Sequence, residues 1–176
     1  MSRPPAPFDP LRALRVLLDR GVRFVMIGGF GARLHGSPTL TNDLDVCYAR
    51  DRENLVALAE ALGELHARLR GAPPDVQFLL DAETLERGDH FTFATDAGSL
   101  DCLATPSGVS GYEDLLATAM PMDLDGLRVL VASIDDLITM KRAAARPKDL
   151  IEIEVLGALR EEMDARQRER RRPSGR

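Results

Sequence analysis

The sequence contains few of the residues that build metal centres and disulfides. Among its 176 residues are two cysteines, Cys47 and Cys102, and three histidines, and neither set has the spacing of a zinc site. No apolar run is long enough to cross a bilayer, and the first residues lack the charged-then-apolar pattern of a secretion signal. The sequence therefore predicts reduced, half-buried thiols, no membrane span and a cytoplasmic location.

Acidic residues outnumber basic ones, and the imbalance varies along the chain. The formal net charge is −5, yet the segment from Arg160 to the C-terminus holds seven Arg against four acidic residues. A negatively charged body repels polyanions, which disfavours broad nucleic-acid binding by that body. We expect residues 1–160 to form a single domain and residues 161–176 to form a basic, frayed tail.

Helical and strand patterns alternate along the chain. Apolar residues at helical spacing predict helices over residues 10–20, 52–69, 112–118 and 134–144, and a last helix begins at Pro147. Short runs of β-branched and aromatic residues predict strands over 23–27, 44–48, 76–80 and 127–131, with a hairpin of 90–95 and 100–104. This mixture predicts an α/β or α+β fold, a mixed β-sheet flanked by helices with a helical C-terminus.

Two aspartates lie one residue apart in the second predicted strand. Asp43 and Asp45 flank Leu44, and side chains two positions apart in a strand point to the same face. Two carboxylates at that spacing repel each other, so the pair either raises one pKa or binds a cation, and oxygen ligands suit Mg²⁺ or Mn²⁺. The alternative is a solvent-facing strand end in which Asp43 is a turn residue.

A third acid and a glycine pair extend this pattern. Asp101 lies inside an apolar run of the predicted hairpin, and if its strand neighbours that of Asp43, three carboxylates can hold two divalent ions. Gly28 and Gly29 end the first strand and open a short helix, which leaves backbone N–H groups free for a phosphate. A shift of hairpin register would instead turn Asp101 to the other face, and a glycine pair alone is more often a simple turn.

Lys141 places a cation where an apolar residue is expected. Leu137 and Ile138 mark the inward face of the predicted helix 134–144, and Lys141 follows them at helical spacing. A triphosphate or the carboxylate cluster would serve as its anion. Alternatively, its stem packs against the core and its amine reaches water.

These residues resemble a known superfamily. Gly28-Gly29 with the following turn, and Asp43-Leu44-Asp45, resemble the glycine-pair and paired-aspartate motif of the polymerase-beta-like nucleotidyltransferases, with Asp101 as the third carboxylate. The segment 136–149 is similar to one in small bacterial nucleotidyltransferases that include abortive-infection toxins. The resemblance implies a minimal catalytic domain, Mg²⁺ dependence, and transfer of a nucleoside monophosphate from an NTP to an acceptor.

The resemblance also implies a role for each site residue. Asp43 and Asp45 would bind both metal ions, and Asp101 would bind metal, orient the acceptor hydroxyl and lower its pKa. Gly28 and Gly29 would cradle the phosphates.

Two positions depart from the pattern of the relatives. Many relatives have Ser where this chain has Gly29, and often Arg where it has Thr39. The phosphate charge would then be met by Arg33, Lys141 or Arg142. In the relatives, a lysine in the segment that corresponds to 136–149 is implicated in nucleotide handling.

The sequence leaves the acceptor and two other functions open. The acceptor could be a tRNA end, a protein hydroxyl or a small molecule such as an antibiotic, and a toxin would have an antitoxin protein as its partner. One alternative is a catalytically degenerate member that binds nucleotide or a protein partner without turnover. The other treats Asp43-Leu44-Asp45 as the metal motif of a nucleotide-sugar glycosyltransferase, for which the chain is short.

Overall fold

Helices and strands alternate throughout the computed structural model, which describes residues 6–73 and 77–171. The helices are α1 (Pro10–Asp19), α2 (Gly28–Leu34), α3 (Arg52–Glu64), α4 (Ala82–Arg87), α5 (Tyr112–Leu116), α6 (Ile134–Ala144) and α7 (Pro147–Arg171). The strands are β1 (Phe24–Ile27), β2 (Asp43–Tyr48), β3 (Arg68–Leu69), β4 (His90–Thr95), β5 (Gly98–Leu103), β6 (Met120–Leu124) and β7 (Leu127–Val131).

All these strands join one mixed sheet in the order β3-β4-β5-β2-β1-β7-β6. β2 is parallel to β5 and β1 is parallel to β7, whereas the other neighbours are antiparallel. The two strands that carry the predicted acidic residues therefore lie side by side at the centre of the sheet. The predicted fold class, a mixed sheet flanked by helices with a helical C-terminus, is confirmed.

Hydrophobic side chains cover both faces of the sheet because the central strands are buried on both sides. In β1, Phe24 and Met26 join the core that contains α1 and α3, while Val25 and Ile27 join the core that contains α6. Cys47 and Cys102 are unpaired and belong to opposite cores, as strand alternation predicts. Both thiols are fully buried, so the prediction of half-buried thiols is wrong.

Two helix starts follow from side-chain caps that the sequence signals. The Asp9 carboxylate accepts a hydrogen bond from the Arg12 N–H at 3.1 Å before α1. The Ser133 hydroxyl accepts one from the Asp136 N–H at 3.1 Å before α6. Each cap satisfies a backbone donor that the first helical turn leaves free.

The segment after α3 differs from its prediction. The helix ends at Glu64, five residues before the predicted end, and the chain turns at His66, whose φ is +49°. The Ala67 N–H returns to the Leu62 carbonyl at 2.9 Å, a bond that closes helix ends of this kind. Arg68 and Leu69 then pair with β4 as a short edge strand.

Three other segments differ from their predictions. Residues 77–80 have no regular structure, and Val76 of the strand predicted there lies outside the described residues. β6 was not predicted, because Pro121 weakens its strand pattern. It lies at the edge of the sheet, where a strand tolerates proline. α7 continues through Arg171 into the predicted tail.

No helix in residues 6–73 and 77–171 is both long and apolar enough to span a membrane.

Candidate active site

The three predicted acidic residues lie on one face of two neighbouring strands. In the parallel pair of β2 and β5, Asp45 stands opposite Asp101 and Asp43 stands opposite Ser99. Because side chains two positions apart share a face, Asp43 lies on the same face as Asp45 and Asp101. We call these three residues the carboxylate cluster. The register that would turn Asp101 to the other face is not the one observed.

Gly28 lets the backbone approach the carboxylate cluster closely. Its φ of +67° lies in the left-handed region, and a Cβ built on it would lie 2.7 Å from Asp45 Cγ. Any side chain there would collide with the Asp45 carboxylate. The second glycine, Gly29, faces Thr41, whose Cβ would lie 3.2 Å from an added Cβ.

Thr41 orders the loop that leads into β2. Its hydroxyl donates to the Asp43 carbonyl at 3.2 Å and accepts from the Asp43 N–H at 3.4 Å. Thr39 and Ser37 form a similar contact, with 3.1 Å between their hydroxyl oxygens. The loop between the glycine pair and the acidic pair is therefore fixed by its own hydroxyl groups.

Burial and like charge act together on the carboxylate cluster. Burial, followed by the nearby carboxylates of Asp101 and Asp43, raises the pKa of Asp45 to about 7. Burial also raises the pKa of Asp101, although the Arg70 guanidinium opposes that rise. Carboxylates with raised pKa values at the edge of a cleft are typical of sites that bind a cation.

Arg70 is a site residue that the sequence did not reveal. Its Nη2 donates to Asp101 Oδ1, and its Nη1 lies 3.7 Å from Asp43 Oδ1. The guanidinium thus links two members of the carboxylate cluster. Spacing along the chain could not predict this contact, because residue 70 directly follows a segment that has a helical pattern.

The donor chemistry of the carboxylate cluster fits a hard divalent cation. Three carboxylates on one face supply the oxygen ligands that Mg²⁺ and Mn²⁺ prefer. Burial and the two neighbouring carboxylates, which raise the pKa of Asp45, would both be offset by a bound cation. Among the described residues, no three His, Cys, Asp or Glu side chains are grouped closely enough to form a metal site as they stand. The Arg70 guanidinium lies between two of the three carboxylates.

Lys141 points inward, as its helical position predicts, and its anion comes from α7. Its Nζ lies 2.5 Å from Glu152 Oε2 and 3.8 Å from Asp149 Oδ1. All three side chains are buried, and Arg146 Nε donates to Asp149 Oδ2 at 2.9 Å. Although burial opposes it, Arg146 keeps the pKa of Asp149 below its ordinary value. Glu152 Oε1 is buried without a hydrogen-bond partner.

Two cavities meet at the carboxylate cluster. The first, of about 270 Å³, we call the polar cavity; it is lined by the whole cluster and by Gly28, Gly29, Thr39, Leu40, Thr41, Lys141, Arg146, Lys148, Asp149 and Glu152. The second, of about 350 Å³, we call the apolar cavity; its lining includes Ile27, His90, Leu103, Pro106, Leu137 and Met140. Gly28, Asp45, Lys141 and Arg146 line both.

Not every predicted phosphate-binding residue lies at these cavities. Arg33 is exposed in the last turn of α2 and Arg142 is exposed on α6, and neither lines the polar or the apolar cavity. Their roles in phosphate binding stay predictions. Arg146 and Lys148, which the sequence analysis did not single out, bring positive charge to the polar cavity instead.

Antibiotic nucleotidyltransferases are among the solved structures that this chain resembles. No family model and no curated protein matches the sequence. The chain is similar to the lincosamide antibiotic adenylyltransferase LnuA with lincomycin bound, with 13% identity, a TM-score of 0.59, and 85% and 95% of the two chains covered. It is also similar to ANT(2″)-Ia in complex with adenylyl-2″-tobramycin, with 17% identity, a TM-score of 0.54, and 90% and 96% covered.

A third structure extends the likeness to a bacterial thermophile. A Thermotoga maritima protein assigned as a nucleotidyltransferase shares 17% identity and a TM-score of 0.50, with 91% of this chain and 97% of that one covered. Each likeness extends over most of both chains. The chain therefore shares the fold of these three proteins.

Proposed function

We propose that this protein is a divalent-metal-dependent nucleotidyltransferase that moves a nucleoside monophosphate from an NTP to a hydroxyl group of an acceptor. The observation that carries the proposal is the register of β2 and β5, which sets Asp45 beside Asp101 while Gly28 leaves room for the Asp45 carboxylate. In the reaction the acceptor hydroxyl passes its proton to the Asp101 carboxylate, and its oxygen forms a bond to the α-phosphorus. The bond from that phosphorus to the bridging oxygen breaks, and pyrophosphate leaves.

The carboxylate cluster would hold Mg²⁺ or Mn²⁺ through its oxygen atoms. When bound, such a cation neutralises the phosphate charge that builds up during the displacement. Asp43 and Asp45 would hold it from β2, and Asp101 would hold it from β5. Asp101 also accepts a hydrogen bond from the acceptor hydroxyl and so orients the attacking oxygen.

The polar cavity is proposed to bind the triphosphate. Gly28 and Gly29 line this cavity without side chains, so their backbone is open to a phosphate there. Lys141, Arg146 and Lys148 supply positive charge along the same lining. For Lys141 to contact a phosphate, its amine has to share its present contact with Glu152.

The apolar cavity is proposed to take a small-molecule acceptor. Its lining is mainly apolar, and it includes Asp45 and Gly28, which also line the polar cavity. LnuA binds lincomycin and ANT(2″)-Ia binds an adenylylated tobramycin, which are small-molecule ligands of proteins with this fold. A tRNA end and a protein hydroxyl are the alternative acceptors. An antitoxin protein is the partner expected if the enzyme is a toxin. We place the reaction in the cytoplasm, where NTPs are available.

The test compares wild type with Asp45→Asn and with a matched control, Asp19→Asn. Asp19 is exposed at the end of α1, outside the carboxylate cluster. The substitution Asp19→Asn removes the same charge as Asp45→Asn. Each protein is incubated with labelled NTPs, Mg²⁺ or Mn²⁺, and lincomycin, tobramycin, bulk tRNA or no added acceptor. We expect transfer by wild type and Asp19→Asn, and a loss of at least about a hundredfold with Asp45→Asn.

A second candidate function, a binder without turnover, is favoured by Thr39 and Gly29, which replace residues common among relatives. Calorimetry separates the two. Tight NTP binding by a chain that yields no transfer product favours the binder, and equal labelling by wild type and Asp45→Asn rejects catalysis by the carboxylate cluster.

A further inference from the structure

Arg70 belongs to a row of residues that crosses the sheet at the carboxylate cluster. The Arg70 N–H donates to the Thr92 carbonyl at 2.9 Å, directly after the two paired residues of β3. Thr92 stands opposite Asp101, and Asp101 stands opposite Asp45. The edge of the sheet therefore sets Arg70 in register with two of the acidic residues.

The length of the arginine side chain suits this row. Neighbouring strands lie about 4.8 Å apart, so one strand separates Arg70 from Asp101 by about 10 Å of backbone distance. An extended arginine and an aspartate together span that gap across Thr92, whose side chain is short. Its guanidinium forms a hydrogen-bonded ion pair with Asp101 and lies 3.7 Å from Asp43.

One partner of this ion pair is largely buried and the other is partly exposed. The Asp101 side chain is 14% exposed and that of Arg70 is 34% exposed. Ion pairs with little solvent around them are screened less than fully exposed ones. Since the two carboxylates are also proposed metal ligands, the guanidinium and a divalent cation compete for the negative charge of the same two side chains.

We propose that Arg70 is a positioning residue that holds Asp43 and Asp101 until a divalent cation displaces it, so that Arg70 sets the affinity of the site for that cation. The inference rests on the proposed function, because it takes the carboxylate cluster to be the metal site. It adds a residue from the sheet edge that competes with the metal. Without the Arg70 guanidinium, the carboxylates of Asp43 and Asp101 lose a positive partner. We therefore expect them to bind the cation more tightly.

The experiment measures Mn²⁺ binding to the full chain by electron paramagnetic resonance of the free ion, without nucleotide. The variant is Arg70→Gln, and the matched control is Arg68→Gln, because Arg68 lies two residues earlier, in β3, is exposed and carries the same charge. We expect Mn²⁺ to bind Arg70→Gln about threefold to tenfold more tightly than wild type, and Arg68→Gln to change affinity by less than about twofold.

A second variant keeps the test valid if Arg70→Gln does not fold. Arg70→Lys retains the charge but loses the planar fork that reaches two carboxylates, so its Mn²⁺ affinity should lie between those of wild type and Arg70→Gln. Circular dichroism establishes that each variant is folded. Affinity in the Arg70 variants that equals the control, or falls below wild type, overturns the proposal.

Asp45→Asn separates this inference from the proposed function. If wild type binds Mn²⁺ and Asp45→Asn does not, while Arg70→Gln matches Arg68→Gln, the metal site stands and the role of Arg70 is rejected. If neither wild type nor Arg70→Gln binds Mn²⁺ up to about 10 mM, which corresponds to a binding free energy below about 3 kcal/mol, both ideas fail.

Discussion

Gly28 and Asp45 are in contact across the junction of β1 and β2. A Cβ at position 28 would lie 2.7 Å from Asp45 Cγ, and residue 28 has a φ of +67°. Glycine therefore meets two needs at this point, a left-handed backbone and space for a carboxylate. The position of the Asp45 side chain depends on the absence of a side chain at its neighbour.

Gly28→Ala should abolish Mn²⁺ binding and nucleotide transfer. The matched control is Gly21→Ala, because Gly21 has a φ of +71° but nothing within 4 Å of an added Cβ. Gly21→Ala should cost only the backbone strain, about 1 kcal/mol, and leave Mn²⁺ affinity unchanged. Urea unfolding and Mn²⁺ titration measure both effects. Equal Mn²⁺ affinity in the two variants would show that contact with Asp45 is unimportant.

The stability of the metal-free protein should fall as the pH rises from about 4 to about 7. Burial and two neighbouring carboxylates raise the native pKa of Asp45 to about 7, against about 3.9 in an unfolded chain. The native state therefore binds more protons than the unfolded state over this interval, and its stability decreases as Asp45 ionises.

Asp45→Asn should remove this decrease of stability with rising pH. In EDTA at pH 8 we expect the variant to be more stable than wild type by about 1–3 kcal/mol, or several °C in Tm, and the difference to shrink towards pH 4. Thermal melts across this pH range, with and without Mg²⁺, measure it. A wild-type stability that rises steadily relative to Asp45→Asn between pH 4 and 7 would contradict the electrostatic account.

Lys141 and Glu152 should be strongly coupled in stability. Both are buried, with 2.5 Å between Lys141 Nζ and Glu152 Oε2. Lys141→Met leaves a buried carboxylate without its cation and should cost about 3–5 kcal/mol, whereas Lys141→Met with Glu152→Met should cost less than the sum of the single changes.

An exposed pair on α7 provides the comparison for that cycle. Arg166 and Glu162 form an ion pair one helical turn apart, with 69% and 56% of their side chains exposed. Arg166→Met should change the free energy of unfolding by no more than about 0.5 kcal/mol. Urea unfolding of both sets measures this, and additive effects of Lys141→Met and Glu152→Met would show that the buried pair is not coupled.

Local spacing predicted that the acidic side chains of the carboxylate cluster would share one face, and the register of β2 and β5 shows that they do. Asp43 and Asp45 share a face because strand side chains alternate, and Asp101 follows once its strand is placed next to theirs. The inward direction of Lys141 followed in the same way from the period of α6. These predictions succeed because each depends on one element and its repeat.

Contacts between distant elements could not be predicted in this way. Arg70 reaches Asp101 only because a two-residue strand, β3, aligns with β4, and so short a strand has no periodic signal. Glu152 meets Lys141 because α7 packs against α6 at one particular rotation. Such register and packing depend on the whole core, which spacing along the chain does not encode.

Transfer of label from the α-phosphate of an NTP tests the central claim most directly. Wild-type protein with Mg²⁺ or Mn²⁺ is given each NTP labelled at the α-phosphorus or, separately, at the γ-phosphorus, together with lincomycin, tobramycin or bulk tRNA. The account predicts that only the α label joins an acceptor, that the γ label leaves in pyrophosphate, and that Asp45→Asn does neither. Transfer of the γ label, or no transfer of either label, would contradict it.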